Sequence, residues 1–206
     1  MSTAPSQSAQ DDLRRMRELA EEGRTRPLLG GREFVIFGLA MAAASLVHAA
    51  LLDGLLPWPP MALSAIWFGT MMVAVVVARF SRRGQPRPTT ANRVEMEVWR
   101  VGGLVIGALA LSIFVYAMLD NTPRGFFLFT LVPPVVFGVY AIAMAASSAA
   151  ARDTTLRRYA VLSMAFLVVT TLLAGSVAQF LAMAIGAVLV SIVPGIVLMQ
   201  RERDRG

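Results

Sequence analysis

The sequence predicts an all-α fold, a polytopic bundle of six transmembrane helices. Of the 206 residues, 56% are hydrophobic and only 16% are charged. Long uncharged stretches recur along the chain, and arginines flank them on alternate connections. A hydrocarbon core about 30 Å thick needs roughly 20 apolar residues in a helix, because every backbone polar group must be satisfied without water.

The first three spans are bounded by charges and turn residues. They cover roughly 34–52, 61–78 and 97–119, and they end before Asp53, Arg79 and Asp120. The connection between spans 2 and 3 contains Pro86 and Pro88, which exclude a continuous helix because proline lacks the N–H donor and restricts the residue before it. Asn92 followed by Glu95 is typical of a helix N-cap, so an exposed turn is expected to precede span 3.

The last three spans cover roughly 126–151, 157–174 and 177–199. The uncharged run 159–200 is about twice as long as one crossing requires, so it is expected to turn back at Gly175 and Ser176. Pro133 and Pro134 interrupt span 4. They either kink the helix near its end or mark a late start of the helix.

Arginine placement predicts the orientation. All 19 basic residues are arginine, and all but Arg124 lie in the N-terminal tail, in 79–100, in 152–158 or in the C-terminal tail. The positive-inside rule therefore puts the polar tail 1–33 and the basic tail 201–206 in the cytoplasm. The arginine- and alanine-rich composition is typical of a GC-rich bacterial genome, which predicts a multi-pass protein of the bacterial inner membrane.

Two weaker patterns concern the N-terminal tail and the hairpins. Segment 11–23 reads as a short amphipathic helix, expected either to dock on the inner face or a cytoplasmic partner, or to stay solvated. Spans 1 and 3 end alike, with Asp53 and Asp120 shortly before a proline. This likeness suggests three hairpin units, although apolar segments also match one another by chance.

Few polar side chains fall within the spans, and they define a candidate solute path. The sole histidine, His48, lies about 6 Å below the outer end of span 1, and Gln179 carries an amide that needs a partner in lipid. The structural alternatives are a neutral histidine bonded to a neighbouring helix and an interhelical glutamine. The candidate set is His48, Asp53, Tyr116, Asp120, Pro133, Tyr140 and Gln179.

Small residues recur at helical spacing and are expected to let helices approach closely. We expect them to serve packing inside the bundle rather than homodimerisation, because six spans create many internal interfaces. They are Gly38, Ala42 and Ser45 in span 1, Gly103 and Gly107 in span 3, and Ala182 and Gly186 in span 6.

The sequence argues against catalysis and cofactors. It contains no cysteine and one histidine, too few ligands for a metal or haem site, and no catalytic or phosphate-binding motif. The scattered basic residues fit topology better than nucleic-acid binding. We therefore expect a non-catalytic accessory or regulatory subunit that contacts the lipid bilayer and a membrane-protein partner or further copies of itself. The alternative is a transporter or facilitator for a small neutral or weakly polar solute.

Overall fold

The structure of the protein, a computed structural model, is a bundle of six long helices. It describes residues 30–59, 61–81, 90–120 and 127–204, together with Asp11, Asp12, Arg14 and Met16. The helices are α1 (Gly31–Leu52), α2 (Ala62–Ser81), α3 (Thr90–Asp120), α4 (Val132–Ala151), α5 (Thr154–Leu172) and α6 (Val177–Arg203). Each is part of a segment long and apolar enough to cross a membrane, so the predicted six-helix membrane bundle is confirmed.

Five of the six helices start earlier or end later than the hydropathy pattern predicts, and among them α1 begins at Gly31 and α2 ends at Ser81. The helix α3 begins at Thr90, so Asn92 lies inside the helix rather than capping it. The helix α5 begins at Thr154 because the Asp153 carboxylate caps it, accepting a hydrogen bond from the Thr155 N–H at 2.8 Å. The helix α6 runs on to Arg203. Hydropathy reports neither the cap formed by Asp153 nor helical turns that extend beyond the apolar segment.

The structure shows how the helical pattern is interrupted before α4 and between α5 and α6. A 3₁₀ turn, Leu128–Leu131, precedes α4, and Pro133 and Pro134 lie in the first helical turn. Their missing N–H groups would have had no helical partner there, so they start the helix rather than kink it. The connection between α5 and α6 turns at Gly175, whose φ of +82° is left-handed.

Some predicted features fall on residues that the structure does not describe. Of the predicted helix 11–23, Asp11, Asp12, Arg14 and Met16 are helical, and the other residues lie outside the described part of the chain. The same holds for residues 82–89 of the connection between α2 and α3, for 121–126, which include Arg124, and for 205–206.

The helix α6 is central and runs antiparallel to α1. The start of α1, at Gly31, lies against Gly195 and Met199 near the end of α6, while His48 stacks on Phe180 near its beginning. The helix α2 packs on α1, α3 packs on α4, and α5 packs on both α4 and α6. The start of α1 and the end of α6 therefore share one end of the bundle. That end carries every arginine of these six helices, and we call it the arginine-rich end and the opposite one the histidine end.

Glycines let α1 and α6 approach each other closely. A Cβ atom on Gly38 would lie 2.7 Å from Cγ1 of Ile192, and one on Gly195 would lie 2.7 Å from the carbonyl oxygen of Gly31. Real Cβ atoms do not come this close to other heavy atoms, so both positions require glycine. Close backbone contact adds dispersion energy between helices in lipid, where the hydrophobic effect does not hold them together.

The apolar core lies where α1, α4, α5 and α6 meet. Its largest fully buried apolar members are Phe137 and Met144 of α4, Leu156 of α5, and Met183 and Val190 of α6. By contrast, α2 buries only Ala74 and Ala78. The bundle thus has a packed centre and a peripheral α2.

Replacing Gly195 by alanine is expected to lower the free energy of unfolding by about 1–3 kcal/mol, because the new methyl group meets backbone that cannot move aside. The matched control is Gly107→Ala, where nothing lies within 4 Å of the added Cβ. That control is expected to be neutral or up to about 1 kcal/mol more stable, from helix propensity. Unfolding in mixed micelles measures both, and equal stability of the two variants would contradict the close crossing.

Candidate functional site

Polar side chains inside the bundle form three separate groups. The His48 group lies toward the histidine end, the Gln179 group lies where α4 begins and α5 ends, and the Ser191 group lies nearer the arginine-rich end. Each group joins different helices. Their partners decide whether they form a path or hold the helices together.

The His48 group joins α1, α2 and α6. The Trp67 indole N–H donates a hydrogen bond to Nδ1 of His48 at 3.1 Å, and the imidazole stacks on the Phe180 ring with 3.5 Å between centroids. Because an indole only donates, Nδ1 must accept, which places the proton of a neutral histidine on Nε2. Protonation at Nδ1 would set two donors against each other and break this bond. The group therefore holds a neutral, oriented imidazole that is 8% exposed.

The Gln179 amide is fully buried and hydrogen-bonded at both ends. Its Nε2 donates to the carbonyl oxygens of Thr130 (2.6 Å) and Thr170 (3.0 Å), and its Oε1 accepts from the N–H of Gly175 (3.2 Å). Three partners satisfy most of the hydrogen-bonding capacity of an amide. Gln179 thus ties the start of α4, the end of α5 and the turn before α6 together.

The Ser191 group depends on a widened turn of α6. Residues Val188–Ile192 form a π-turn just before Pro194, which has no N–H to continue the α-helical pattern. The Ser191 hydroxyl donates to the carbonyl oxygen of Phe34 at 2.7 Å and lies 3.3 Å from the Tyr140 hydroxyl. Since the only proton of Ser191 goes to Phe34, Tyr140 is the donor to Ser191. The π-turn therefore links α1, α4 and α6.

Trp99 connects α3 to the Ser191 group. Its indole packs edge-on against Phe34, with ring centroids 4.8 Å apart, and against Tyr140 at 4.7 Å. Edge-to-face pairs of this kind add to the stability gained from burying the rings. Four helices therefore meet around the Ser191 group.

The structure does not join the predicted solute-path residues into one path. His48 of α1 contacts the face of α6 that carries Phe180, whereas Gln179 projects from another face of α6 toward α4 and α5. The fully buried Met183 of α6 is also part of the apolar core of the bundle. Of the other candidates, Pro133 is buried in the first turn of α4, and Tyr140 bonds to Ser191. Asp53 and Tyr116 are exposed, and Asp120 is half-buried at the end of α3.

The predicted packing residues divide into two sets. Gly38 meets α6, Gly186 meets the Phe137 ring, Ser45 is fully buried and donates to the Met41 carbonyl, and Ala42 and Ala182 are half-buried. Gly103 and Gly107 differ from the expectation of internal packing, since nothing lies within 4 Å of a Cβ at either position. The neighbouring Gly102 faces Val139 of α4 instead. The helix α3 is rotated so that its glycine pair points away from α4.

A charged cluster fastens the turn between α4 and α5 to the end of α6. The Asp153 carboxylate contacts the Arg201 guanidinium, which also donates to the Thr155 hydroxyl at 3.0 Å. Burial raises the pKa of the Asp153 carboxyl, but the hydrogen bonds from Thr155 and the charge of Arg201 outweigh that effect and hold the pKa below its usual value. The carboxylate is therefore charged at neutral pH and contributes to stability there.

Several residues of these groups were not singled out by the sequence. Trp67, Phe180, Ser191, Thr130 and Thr170 look like ordinary members of apolar helices, and only their contacts distinguish them. A detectable signal existed for the Ser191 group alone, because Pro194 and Gly195 interrupt an otherwise regular helical pattern three residues later.

Fold and site together define a class, a multi-pass α-helical membrane protein in which His48, Gln179, Ser191 and Tyr140 form hydrogen bonds between helices. Among the described residues, no group of three His, Asp or Glu side chains is placed to hold a metal ion. Comparison of the chain with protein families, with curated proteins and with solved structures gives no match.

The Asp153 carboxylate predicts a specific pH dependence. Because its folded pKa is depressed, its contribution to stability is complete above the usual aspartate range and is lost as pH falls through the folded pKa. Asp153→Asn is expected to lower stability at pH 7 by no more than about 1 kcal/mol, given the partial exposure of the pair. The difference from wild type should shrink as the pH falls below the usual aspartate range. Thermal unfolding followed by tryptophan fluorescence between pH 7 and 3 measures it, and a difference independent of pH would contradict the charged contact.

Proposed function

We propose that the protein is a non-catalytic accessory or regulatory subunit of a bacterial inner membrane that acts through helix–helix contacts with a partner membrane protein. The observation that carries this proposal is that four polar side chains of the interior bond to other helices rather than facing a shared cavity. His48, Gln179, Ser191 and Tyr140 all have partners on other helices, and fully buried apolar side chains occupy the core. An interior of this kind supports a structural role better than a solute path.

The geometry favours this reading over the facilitator for a small solute. A facilitator needs polar groups that face a common pathway. Here His48 of α1 contacts Trp67 of α2 and Phe180 of α6. Gln179 points from another face of α6 to the start of α4 and the end of α5. The two most polar candidates of the proposed path therefore do not face one another.

The helix α2 offers the surface that suits a partner. Its stripe of Trp67, Met71, Ala74 and Ala78 turns toward the bundle, and the opposite face is exposed. That face carries Gly69, where nothing lies within 4 Å of a Cβ, and one turn later Val73, 62% exposed. A glycine followed at four residues by a rigid β-branched side chain suits close packing with another helix. We call Gly69, Val73, Val76 and Val77 the outer face of α2.

The proposed orientation of the protein in the membrane follows from the positions of its arginines. Every arginine of the six helices lies at the arginine-rich end, and the positive-inside rule puts such an end in the cytoplasm. Both termini then face the cytoplasm, where the N-terminal tail is available to cytoplasmic proteins.

Single-cysteine labelling tests the orientation, because the chain has no native cysteine. In intact spheroplasts, a membrane-impermeant maleimide is expected to label Gly54→Cys, which lies in the turn at the histidine end. Asp204→Cys, at the end of α6, should react only after the membrane is opened. The reverse pattern, or labelling of both in closed spheroplasts, would contradict the proposed topology.

Partner recovery tests the function. A tagged chain extracted in mild detergent is expected to retain one membrane protein in stoichiometric amount. Gly69→Leu should reduce that recovery about tenfold, the equivalent of about 1.4 kcal/mol of contact energy. Ala165→Leu is the matched control, since it enlarges an exposed side chain on a different helix. Recovery of wild type as a lone monomer, or full retention of the partner by Gly69→Leu, would refute the proposal.

A further inference from the structure

The glycine pair of α3 lines an open groove between α2 and α3. Gly103, Gly107 and Phe114 share one stripe of the helix, because steps of four and seven residues return to nearly the same face. Phe114 contacts Phe68 of α2 edge-on, with ring centroids 6.0 Å apart, so this stripe faces α2. At both glycines nothing lies within 4 Å of a Cβ. A space therefore remains between the two helices on the arginine-rich side of the Phe68–Phe114 contact.

The wall contributed by α2 is apolar and uncovered. Met72 and Val75 follow Phe68 at helical spacing and are 65% and 45% exposed. The same stripe ends at Arg79, in the last turn of α2. The groove is thus apolar along its length and basic at one end.

Two arginines flank the mouth of the groove. Arg100 lies three residues before Gly103, about 4.5 Å along the α3 axis, and Arg79 closes α2 at the same end. Within the described residues Arg79 makes no hydrogen bond or ion pair, and Arg100 has an exposed contact with Glu97 at 3.7 Å. An exposed pair of this kind contributes little. Both guanidinium groups are therefore available to an anion at the membrane interface, and their planar fork suits phosphate.

We propose that this groove binds one anionic phospholipid, with an acyl chain against Gly103 and Gly107 and the phosphate between Arg79 and Arg100. The lengths agree. From Arg100 to Phe114 is about 21 Å along a helix at 1.5 Å per residue, compared with about 15 Å for one leaflet of the hydrocarbon core. The chain of a single leaflet fits between the basic mouth and the phenylalanine contact.

Charge favours a lipid over a second copy of the protein. All copies in a membrane share one orientation, so pairing along α3 would bring the Arg79 and Arg100 ends of both copies together. An anionic headgroup neutralises the same charges, and a basic site beside transmembrane helices is a recurring mode of lipid recognition. This inference does not depend on the proposed partner, which uses the outer face of α2.

Native mass spectrometry of the full chain tests the site. Delipidated protein in detergent is titrated with dioleoylphosphatidylglycerol or with dioleoylphosphatidylcholine, and the lipids bound per chain are counted. Wild type is expected to bind one phosphatidylglycerol more tightly than phosphatidylcholine. Arg79→Gln and Arg100→Gln should each weaken phosphatidylglycerol about fivefold, from about 1 kcal/mol per arginine near the headgroup. They should leave phosphatidylcholine unchanged.

Matched variants separate the groove from general charge and surface effects. Gly103→Leu combined with Gly107→Leu fills the groove and should abolish the first binding step for both lipids. Gly69→Leu, on the other side of α2, and Arg157→Gln, exposed at the same end on α5, should behave as wild type. The added leucines enter open space, so the double variant is expected to keep its helical circular dichroism.

Three results would overturn the proposal. Unchanged lipid binding by the double leucine variant would place the lipid elsewhere. An equal loss with Arg157→Gln would reduce the effect to net charge. A wild-type dimer that the double leucine variant abolishes would assign the groove to a second copy. Failure here leaves the partner test intact, because that test depends on Gly69.

Discussion

The contact between the first and last helices is the constraint on which the rest of the bundle depends. Helices in lipid gain little from burying apolar surface, so they must gain from dispersion and hydrogen bonding at short range. Gly31, Gly38 and Gly195 remove the side chains that would keep α1 and α6 apart. Ser191 then reaches the backbone of α1 directly. The remaining helices pack around this pair.

Several buried polar groups also connect helices at short range. Buried polar atoms are costly unless they are bonded, and the backbone carbonyls left free by prolines and turns provide acceptors. Gln179 uses carbonyls at the start of α4 and the end of α5, and Ser191 uses a π-turn next to Pro194. Irregular backbone and polar side chains thus occur together. Their common effect is to fix the relative positions of helices.

The central and peripheral helices of the bundle differ in how much of their surface is buried. The centre is built from α1, α4, α5 and α6, whereas α2 and α3 leave most of their surface to lipid or to partners. Both proposed interactions use these two helices. A membrane protein with a firm centre and open flanks is suited to be a component of a larger membrane assembly.

The sequence predicted the helices and the bundle class, because a hydrocarbon core imposes length and apolarity on each helix separately. It did not predict which face each helix turns inward. Gly102 and Gly103 are adjacent glycines in equally apolar surroundings, yet only Gly102 faces α4. The sequence also left open where α4 begins, because a Pro–Pro pair is compatible with both a kink and a helix start. The structure was needed to distinguish the two. Rotation about a helix axis depends on neighbours that hydropathy does not identify.

Because the helices are synthesised in order, the central position of α6 affects how the bundle assembles. The hydrogen bond from Ser191 to Phe34 joins residues 157 positions apart, so α1 must enter the membrane long before its main partner has been translated. Until α6 has been inserted, the glycine-lined side of α1 lacks the helix that it packs against. A chain truncated before α6 would keep that side uncovered and would be recognisable by it to membrane quality-control proteases.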